Sequence, residues 1–299
     1  MAAEHTKDAP QASLIPPVPL TIDGSAILHQ MFRIRWQAWK ALSAAAQQSV
    51  VEEATGVLSQ MEQGEQSEQE GQNEGNKSAI FSQLGHKGDL MLVHFRPSFD
   101  ELNAAELRLA NVQLMEFLEP TTSYLSTVEL GLYEASVRLY TSLHEQGLQP
   151  YTPEWDQATE AELARQREVM APRISPAIPA RRYLCFYPMD KKRGEVQNWY
   201  QVPIAERQKM MREHGMVGRR YAGRVNQIIS GSVGFDDWEW GVDLFADDPL
   251  VFKQLVYEMR FDEASALYGL FGTFYLGLRI PAAELGALLS GTVPAFPTQ

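Results

Sequence analysis

The chain has 299 residues, of which 44% are hydrophobic and 21% are charged, with a formal net charge of −12 and a single cysteine. These figures allow a substantial folded core and argue against an unfolded chain. The acidic balance argues against non-specific binding to nucleic acid or anionic lipid. A lone Cys185 excludes internal disulfides, CxxC zinc sites and cysteine-ligated iron–sulfur clusters. Because the sequence shows neither an apolar run of about 18 residues nor a secretory signal, we expect a soluble cytoplasmic protein.

Positive charge is concentrated between residues 181 and 224. This segment has eleven basic and four acidic side chains, a net charge of +7, which leaves −19 for the rest of the chain. Two interpretations are open. The basic residues could be solvated helix faces with surface ion pairs, or they could form a local site for an anion.

Three segments with few apolar residues divide the chain. Residues 1–25 are rich in proline and predict a flexible leader. Residues 62–76 are Glu, Gln and Gly with almost no apolar residue, and predict a disordered loop. Residues 144–180 contain five prolines and predict a linker. The predicted domains are therefore 26–143, a scaffold, and 181–299, a binding domain.

Each predicted domain contains the element order β-α-β-β-α-β. In the first, apolar periodicity predicts a strand at 27–34, a helix at 36–61, strands at 79–85 and 89–96 around a Lys87-Gly88 turn, a helix at 98–118 and a strand at 123–132. In the second, it predicts a strand at 182–187, a helix at 203–214, strands at 224–233 and 237–245 joined through Gly234, a helix at 248–260 and a strand at 270–279.

This repeated order indicates an internal duplication. The alignment of Gly85 to Phe95 with Gly234 to Phe245 supports it. Each half is of the ferredoxin-like type. The expected fold class is α+β, with two such halves forming a barrel of the dimeric α+β type and a pocket between sheet and helices.

His214 is the histidine most suited to bind a metal. It ends an amphipathic helix, is followed by Gly215 and Gly218, and lies within the basic segment. A purely structural role is open as well. If His214 does bind a metal, a single protein ligand is sufficient only when a macrocycle supplies the other ligands, so the metal would be a haem iron. The remaining histidines have no second ligand type at metal-binding spacing: His5, His29, His86, His94 and His144.

Several long motifs carry a family resemblance. They are CFYPMDKKR (185–193), NWYQVP (198–203), REHGMVGRRYAGRVNQIISGSVGFDDWEWGVDLF (212–245), YEMRFDEASALYGLFG (257–272) and, more weakly, SYLSTVELGLY (123–133). The sequence resembles the coproheme decarboxylases of the chlorite-dismutase-like family over most of 181–280. A weaker match extends through 80–133.

The resemblance implies roles for nine residues. His214 corresponds to the axial iron ligand, Tyr187 to a tyrosine that is oxidised to a radical, and Lys191 to its catalytic neighbour. Six further positions correspond to residues that contact the substrate: Arg173, Tyr133, Met189, Gln227, Arg260 and Ser265. Gln227 stands where chlorite dismutases have arginine, which indicates the distal-glutamine type. From the residues alone, Tyr187 could also be an aromatic core residue.

The implied activity is oxidative decarboxylation with hydrogen peroxide. Two propionates of iron coproporphyrin III (coproheme) become vinyl groups through a three-propionate intermediate, which gives haem b, so the substrate is also the redox cofactor. Four propionates require several cationic or hydroxyl donors, which the basic segment would supply. Two alternatives are a chlorite dismutase, disfavoured by Gln227, and a non-catalytic haem carrier or sensor, which needs His214 but not Tyr187.

The resemblance also has implications for partners. It implies a homopentamer, where the residues themselves support only an oligomer. Coproporphyrin ferrochelatase is a candidate partner. We do not expect the protein to bind nucleic acid or a membrane. Trp199, Trp238 and Trp240 are expected to pack around the pocket or at subunit contacts.

Overall fold

The computed structural model describes residues 15–63 and 77–297. The elements of the first half are β1 (Thr21–Ile34), α1 (Trp36–Ala41), α2 (Ala44–Gln63), β2 (Ser78–Gln83), β3 (Leu90–Arg96), α3 (Phe99–Ala110) and β4 (Leu118–Gly131). Two helices follow, α4 (Tyr133–Glu145) and α5 (Pro153–Ile174). The second half contains β5 (Tyr183–Lys191), α6 (Ile204–Arg219), β6 (Asn226–Gly231), β7 (Trp240–Ala246), α7 (Leu250–Met259), α8 (Glu263–Tyr268), β8 (Gly269–Phe271), β9 (Tyr275–Ile280) and α9 (Leu285–Leu289).

The strands form one antiparallel sheet that closes on itself. Their order among the described residues is β7-β6-β4-β1-β3-β2-β9-β5-β8, and β7 also pairs with β5. That pairing closes a barrel from which β8 is left as an edge strand beside β5. The two halves meet at β4 with β6 and at β2 with β9. The expected α+β barrel of two ferredoxin-like halves is confirmed.

Three apolar layers result from the alternation of side chains along the strands. The barrel interior is filled from both halves, for example by Ile27, Phe81, Phe186 and Phe245. Outside the barrel, α2 and α3 cover the sheet of the first half. On the sheet of the second half, α6 and α7 cover a face that includes Tyr187. Among the helices of the described ranges, none is both long and apolar enough to cross a membrane.

The predicted linker at 144–180 is wrong in its central part, because α5 spans Pro153–Ile174. Thr152 caps the helix by accepting a hydrogen bond from the Trp155 amide, and proline is favourable in the first turn. The Trp155 ring is buried and stacks on Tyr140 at 5.4 Å. Loss of such a buried ring typically costs about 3–5 kcal/mol, so tertiary packing stabilises a helix whose amphipathic pattern is weak.

The predicted leader at 1–25 is also too long. β1 begins at Thr21 and pairs with the end of β4, and Ile22 is fully buried. Ile15 and Leu20 pack on the cluster around Tyr140. Residues 1–14 lie outside the described residues. So does most of the predicted loop at 62–76, of which only Glu62 and Gln63 are described, as the end of α2.

Some element boundaries differ from those that the apolar periodicity predicts. The predicted helix at 36–61 is two helices, because Leu42 has an extended backbone that ends α1. The predicted helix at 98–118 ends at Ala110 and is followed by a short 3₁₀ turn, so β4 begins at Leu118. The two hairpins match each other more closely than expected. Gly85 and Gly234, at φ of 87° and 88°, both adopt the left-handed conformation that glycine tolerates best.

A buried polar pair crosses the barrel interior between the halves. The His29 Nε2 atom of β1 lies 2.8 Å from an Asp243 carboxylate oxygen of β7, and both side chains are inaccessible to solvent. The His29 ring stacks on Phe186 at 4.0 Å. His29 therefore has a structural partner that the sequence pattern did not indicate, and this pair helps fix the register between the halves.

Candidate active site

The candidate site lies on the outer face of β5, beneath α6 and α8. Alternation along β5 places Leu184 and Phe186 in the barrel interior and Cys185 and Tyr187 in the layer beneath the helices. Tyr183 and Met189 pack on that same outer layer. Tyr183, Cys185 and Tyr187 therefore share one face of β5.

Tyr187 is a buried phenol held between aromatic rings. Its side chain is 3% exposed, and its ring stacks on Phe274 at 4.4 Å and lies 5.9 Å from Phe271. Burial raises the pKa of Tyr187 well above its ordinary value, and the nearby Arg260 opposes this only in part. The Arg260 guanidinium lies 4.2 Å from the centre of the Phe271 ring. Tyr187 is therefore a neutral phenol that keeps its proton at physiological pH.

Lys191 ends β5 as a buried cation. It is 8% exposed, its Nζ donates to the Ala264 carbonyl at 3.4 Å, and the ammonium lies 4.7 Å from the centre of the Trp199 ring. Burial lowers the pKa of Lys191 to about 8, and the negative charge of Asp262, which favours the protonated amine, offsets this effect only in part. Lys191 can therefore gain or lose a proton near physiological pH.

His214 is oriented by a carboxylate. Its Nδ1 lies 3.0 Å from the Asp262 Oδ2 atom, and the Ser265 hydroxyl donates to that same oxygen at 3.1 Å. Asp262 in turn caps α8 by accepting the Ser265 amide. Burial alone would raise the pKa of Asp262, but the hydrogen bonds from His214 and Ser265 hold it below its ordinary value.

This arrangement selects one tautomer of His214. An ionised carboxylate only accepts hydrogen bonds, so the proton of a neutral imidazole is assigned to Nδ1. The lone pair is then on Nε2, which has no hydrogen-bond partner within residues 15–63 and 77–297. A histidine fixed through Nδ1 by a carboxylate is the common arrangement for a metal ligand.

Gln227 approaches α6 one turn beyond His214. A Cβ atom at Gly218 would lie 3.7 Å from the Gln227 Oε1 atom and 3.3 Å from the Met259 methyl group. Gly218 therefore lets the helix that carries His214 pack closely against Met259 and against the strand that carries Gln227. The exposed side chain of Gln227 brings a polar atom close to this position of α6.

The structure brings most of the predicted site residues together. Ser265 contacts His214, and Lys191 contacts α8. Met189 pairs with Phe271, which also contacts Tyr187. Tyr133, at the start of α4, lies 6.4 Å from the Trp199 ring.

Arg173 is not part of this assembly in the described structure. It is exposed near the end of α5, and its guanidinium lies 3.7 Å from the Met170 sulfur. Its predicted role in substrate binding stays a prediction.

Two positions of the site were missed by sequence reasoning. Asp262 was not singled out, although the pattern Asp262-Glu-Ala-Ser265 is typical of a helix N-terminus. Trp199 was assigned to packing, yet it contacts Lys191, Tyr133 and Tyr268. A short motif cannot show that such residues surround a ligand histidine from another helix.

Part of the basic segment forms surface ion pairs, whereas its role as an anion site stays a prediction. Arg181 pairs with Asp247 at 2.5 Å and Arg220 with Glu258 at 3.6 Å, as expected of surface ion pairs. A cavity of about 590 Å³ at the end of β5 is lined by Lys191, Lys192 and Arg193 together with Asp190. A second cavity of about 530 Å³ lies beside Phe186, on the opposite face of β5 from Tyr187.

Fold and site together define an α+β barrel protein in which a carboxylate orients His214 on a helix near a buried tyrosine and a buried lysine. The chain belongs to the chlorite dismutase family, whose sequence pattern matches residues 47–280. Among relatives, a coproheme decarboxylase of Staphylococcus saprophyticus is 40% identical over 88% of this chain and 94% of its own. A putative heme-binding protein of Haloquadratum walsbyi is 42% identical over 94% of this chain. This chain spans about half, 48%, of that protein's length.

Solved structures agree on the fold. A heme-binding protein of Thermus thermophilus has a TM-score of 0.77 at 36% identity, covering 93% of this chain and all of its own. A mutant of the chlorite dismutase of Candidatus Nitrospira defluvii has a TM-score of 0.63 at 16% identity, covering 90% of this chain and 96% of its own. The latter similarity concerns the fold alone.

Proposed function

We propose that this chain is a hydrogen peroxide-dependent coproheme decarboxylase of the distal-glutamine type. It would convert two propionates of iron coproporphyrin III to vinyl groups and form haem b through a three-propionate intermediate. One observation carries the proposal. A buried phenol, Tyr187, and a buried amine, Lys191, lie on one strand beside the helix that orients His214. A carrier has no use for a buried phenol there.

The residues present fit an iron porphyrin. His214 offers an Nε2 atom with no hydrogen-bond partner among the described residues, and Gln227 approaches the same helix at Gly218. The sheet face beneath α6 is apolar, as a macrocycle requires. Lys191 and Arg260 supply positive charge for propionates. The relative named as a coproheme decarboxylase supports this choice of ligand.

The reaction balances with one peroxide for each propionate. A propionate side chain, one hydrogen peroxide and one proton give a vinyl group, carbon dioxide and two waters. Bound coproheme together with peroxide supplies the two oxidising equivalents of each cycle. The Tyr187 phenol can lose an electron and a proton and then take a hydrogen atom from the propionate β-carbon, which restores the phenol. Breaking of the bond to the carboxylate releases carbon dioxide and the second electron.

Lys191 and Gln227 have different parts in this proposal. The Lys191 ammonium pairs with the carboxylate of the reacting propionate and can move a proton, because its pKa is about 8. Gln227 is a neutral amide and offers no permanent charge to hold an anionic oxidant such as chlorite. The same side chain can donate a hydrogen bond to neutral peroxide.

The proposal extends to the surroundings of the enzyme. We infer a homo-oligomer, a pentamer by family resemblance, that acts in the cytoplasm. Coproporphyrin ferrochelatase is the partner that would supply coproheme. Arg173 would contact a propionate if α5 approaches the bound porphyrin.

The decisive comparison is between the wild-type protein and Tyr187→Phe, loaded with coproheme and given dilute peroxide. The variant keeps the ring that stacks on Phe274 and loses only the hydroxyl. Wild type should form haem b, whereas Tyr187→Phe should bind coproheme and form almost none. Tyr183→Phe, on the same strand and face, is the matched control and should retain activity. A wild-type protein that binds coproheme but forms no vinyl product would instead be a carrier.

A further inference from the structure

A cavity of about 530 Å³ at one mouth of the barrel has no part in the proposed reaction. Its floor is formed by Met31, Tyr124 and Phe186, which are buried members of the barrel interior. Its rim includes the tip of the β6–β7 hairpin at 235–238. Because Phe186 and Tyr187 are neighbours on β5 and face opposite sides, the sheet separates this barrel-mouth cavity from Tyr187. Its volume is in the range of small-molecule sites, which often lie in barrel mouths.

Aromatic rings form much of the wall of the barrel-mouth cavity. They are Tyr124, Phe186, Phe235, Trp238 and Tyr275. The Phe186 ring stacks on Tyr275 with 6.0 Å between the ring centres and lies 5.3 Å from Tyr124. Aromatic ring faces attract cations, and the Lys87 ammonium already lies 5.8 Å from the centre of the Tyr275 ring. The wall is therefore suited to an apolar or cationic group.

Two neighbouring carboxylates, Asp236 and Asp237, are the only charged groups among the described residues that line the cavity. Asp236 is held by two backbone amides, because its Oδ2 accepts the Leu125 amide at 3.1 Å and its Oδ1 accepts the Asp237 amide at 2.8 Å. Within residues 15–63 and 77–297, no basic side chain lies within ion-pair distance of either carboxylate. The cavity therefore presents fixed carboxylates beside aromatic rings, without a counter-charge at ion-pair distance.

We propose that the barrel-mouth cavity binds a small organic ammonium ion. The charged group pairs with Asp236 and Asp237, and the hydrocarbon part contacts the aromatic floor. The carboxylates disfavour an anion. A bare metal ion fits less well, because the described residues contain no group of three or more His, Cys, Asp or Glu that could hold one. The proposal does not depend on the proposed function, since it involves neither the porphyrin nor the face of β5 that carries Tyr187.

The test is isothermal titration calorimetry of the wild-type protein with choline, with spermidine and with 3,3-dimethyl-1-butanol, the neutral analogue of choline. At least one of the two ammonium compounds should bind at a single site per chain, and the neutral analogue should bind at least about tenfold more weakly than choline if choline is that compound. The affinity should fall as salt is added, because the carboxylates lie near the surface.

Three variants locate the binding site. Asp236→Asn and Asp237→Asn keep the shape of each side chain and remove its charge, and each should weaken binding of the ammonium compound about tenfold, the effect of a lost hydrogen bond to a charged group. Asp248→Asn removes an exposed carboxylate at the start of α7 and should leave the affinity unchanged. The thermal unfolding midpoint reports whether each variant is folded. If Asp236→Asn does not fold, Asp237→Asn decides, since it must weaken binding.

Loading the protein with iron coproporphyrin III should leave the affinity for the ammonium compound unchanged. Loss of binding on loading would place that compound in the porphyrin site and overturn the proposal. Absence of binding by both ammonium compounds, equal affinity for choline and its neutral analogue, or wild-type affinity in both folded aspartate variants would also overturn it. A protein that takes up no iron coproporphyrin III contradicts only the proposed function, because the porphyrin-free titration still tests the barrel-mouth cavity.

Discussion

Replacing Asp262 by asparagine should convert His214 into a poor iron ligand. Asparagine has nearly the same shape and is also a good helix cap, so it can still accept the Ser265 amide. The asparagine side chain has one acceptor, its carbonyl oxygen, and one donor group, its NH₂. Because the carbonyl oxygen accepts the Ser265 amide, the NH₂ group faces His214. The His214 ring would then meet a donor 3.0 Å from Nδ1.

The imidazole can satisfy that donor only by changing its tautomer. The proton would move to Nε2, where it blocks the lone pair that would bind iron. The lost hydrogen bond to a charged group corresponds to about 1.5–3 kcal/mol. Loss of such a partner typically lowers metal affinity or activity about 10–100-fold. We expect weaker binding of iron coproporphyrin III in this range and a higher iron reduction potential, because a negative charge is removed.

The assay is a titration of the apoprotein with iron coproporphyrin III, followed by absorption spectroscopy and a potentiometric titration. Asp248→Asn is the control, since Asp248 is an exposed residue at the start of another helix, where it accepts the Leu250 amide. It should bind like the wild type. An Asp262→Asn protein with unchanged affinity, spectrum and potential would refute the proposed link from Asp262 to the iron.

Three further predictions concern coproheme binding and reactivity. Lys191 is protonated at pH values below its pKa of about 8. At higher pH it must take up a proton before it can pair with a propionate, so coproheme affinity should fall up to tenfold per pH unit as the pH rises through 8. A titration series should show this decrease for the wild type but not for Lys191→Ala, and equal slopes would contradict the role of Lys191. His214→Ala should bind coproheme weakly with altered coordination, and an unchanged absorption spectrum would rule out His214 as the ligand. The wild-type protein should release little oxygen from chlorite, and rapid sustained release, measured with an oxygen electrode, would show that Gln227 does not prevent that chemistry.

The sequence predicted the elements that carry the site because their signals are local. Apolar periodicity located β5 and α6, although both elements extend further than predicted. The alignment of the two hairpin segments supported the duplication. The fold class then followed from the repeated element order.

What the sequence could not provide depends on contacts between distant segments. The His29–Asp243 pair joins residues 214 positions apart, and no spacing rule connects them. The α5 helix was missed because Pro153 and Pro172 suggested a linker, whereas burial of Trp155 stabilises a helix. The Asp262–His214 contact likewise requires α6 and α8 to be packed together.

The central claim is that the protein removes two carboxyl groups from coproheme. The most direct test is to incubate the wild-type protein with iron coproporphyrin III, add hydrogen peroxide in small steps and identify the porphyrins by mass spectrometry. The account predicts that a three-propionate species appears first and is then replaced by haem b, with carbon dioxide released at each step. Coproheme that stays intact, or is only bleached, while bound to correctly folded protein would contradict it.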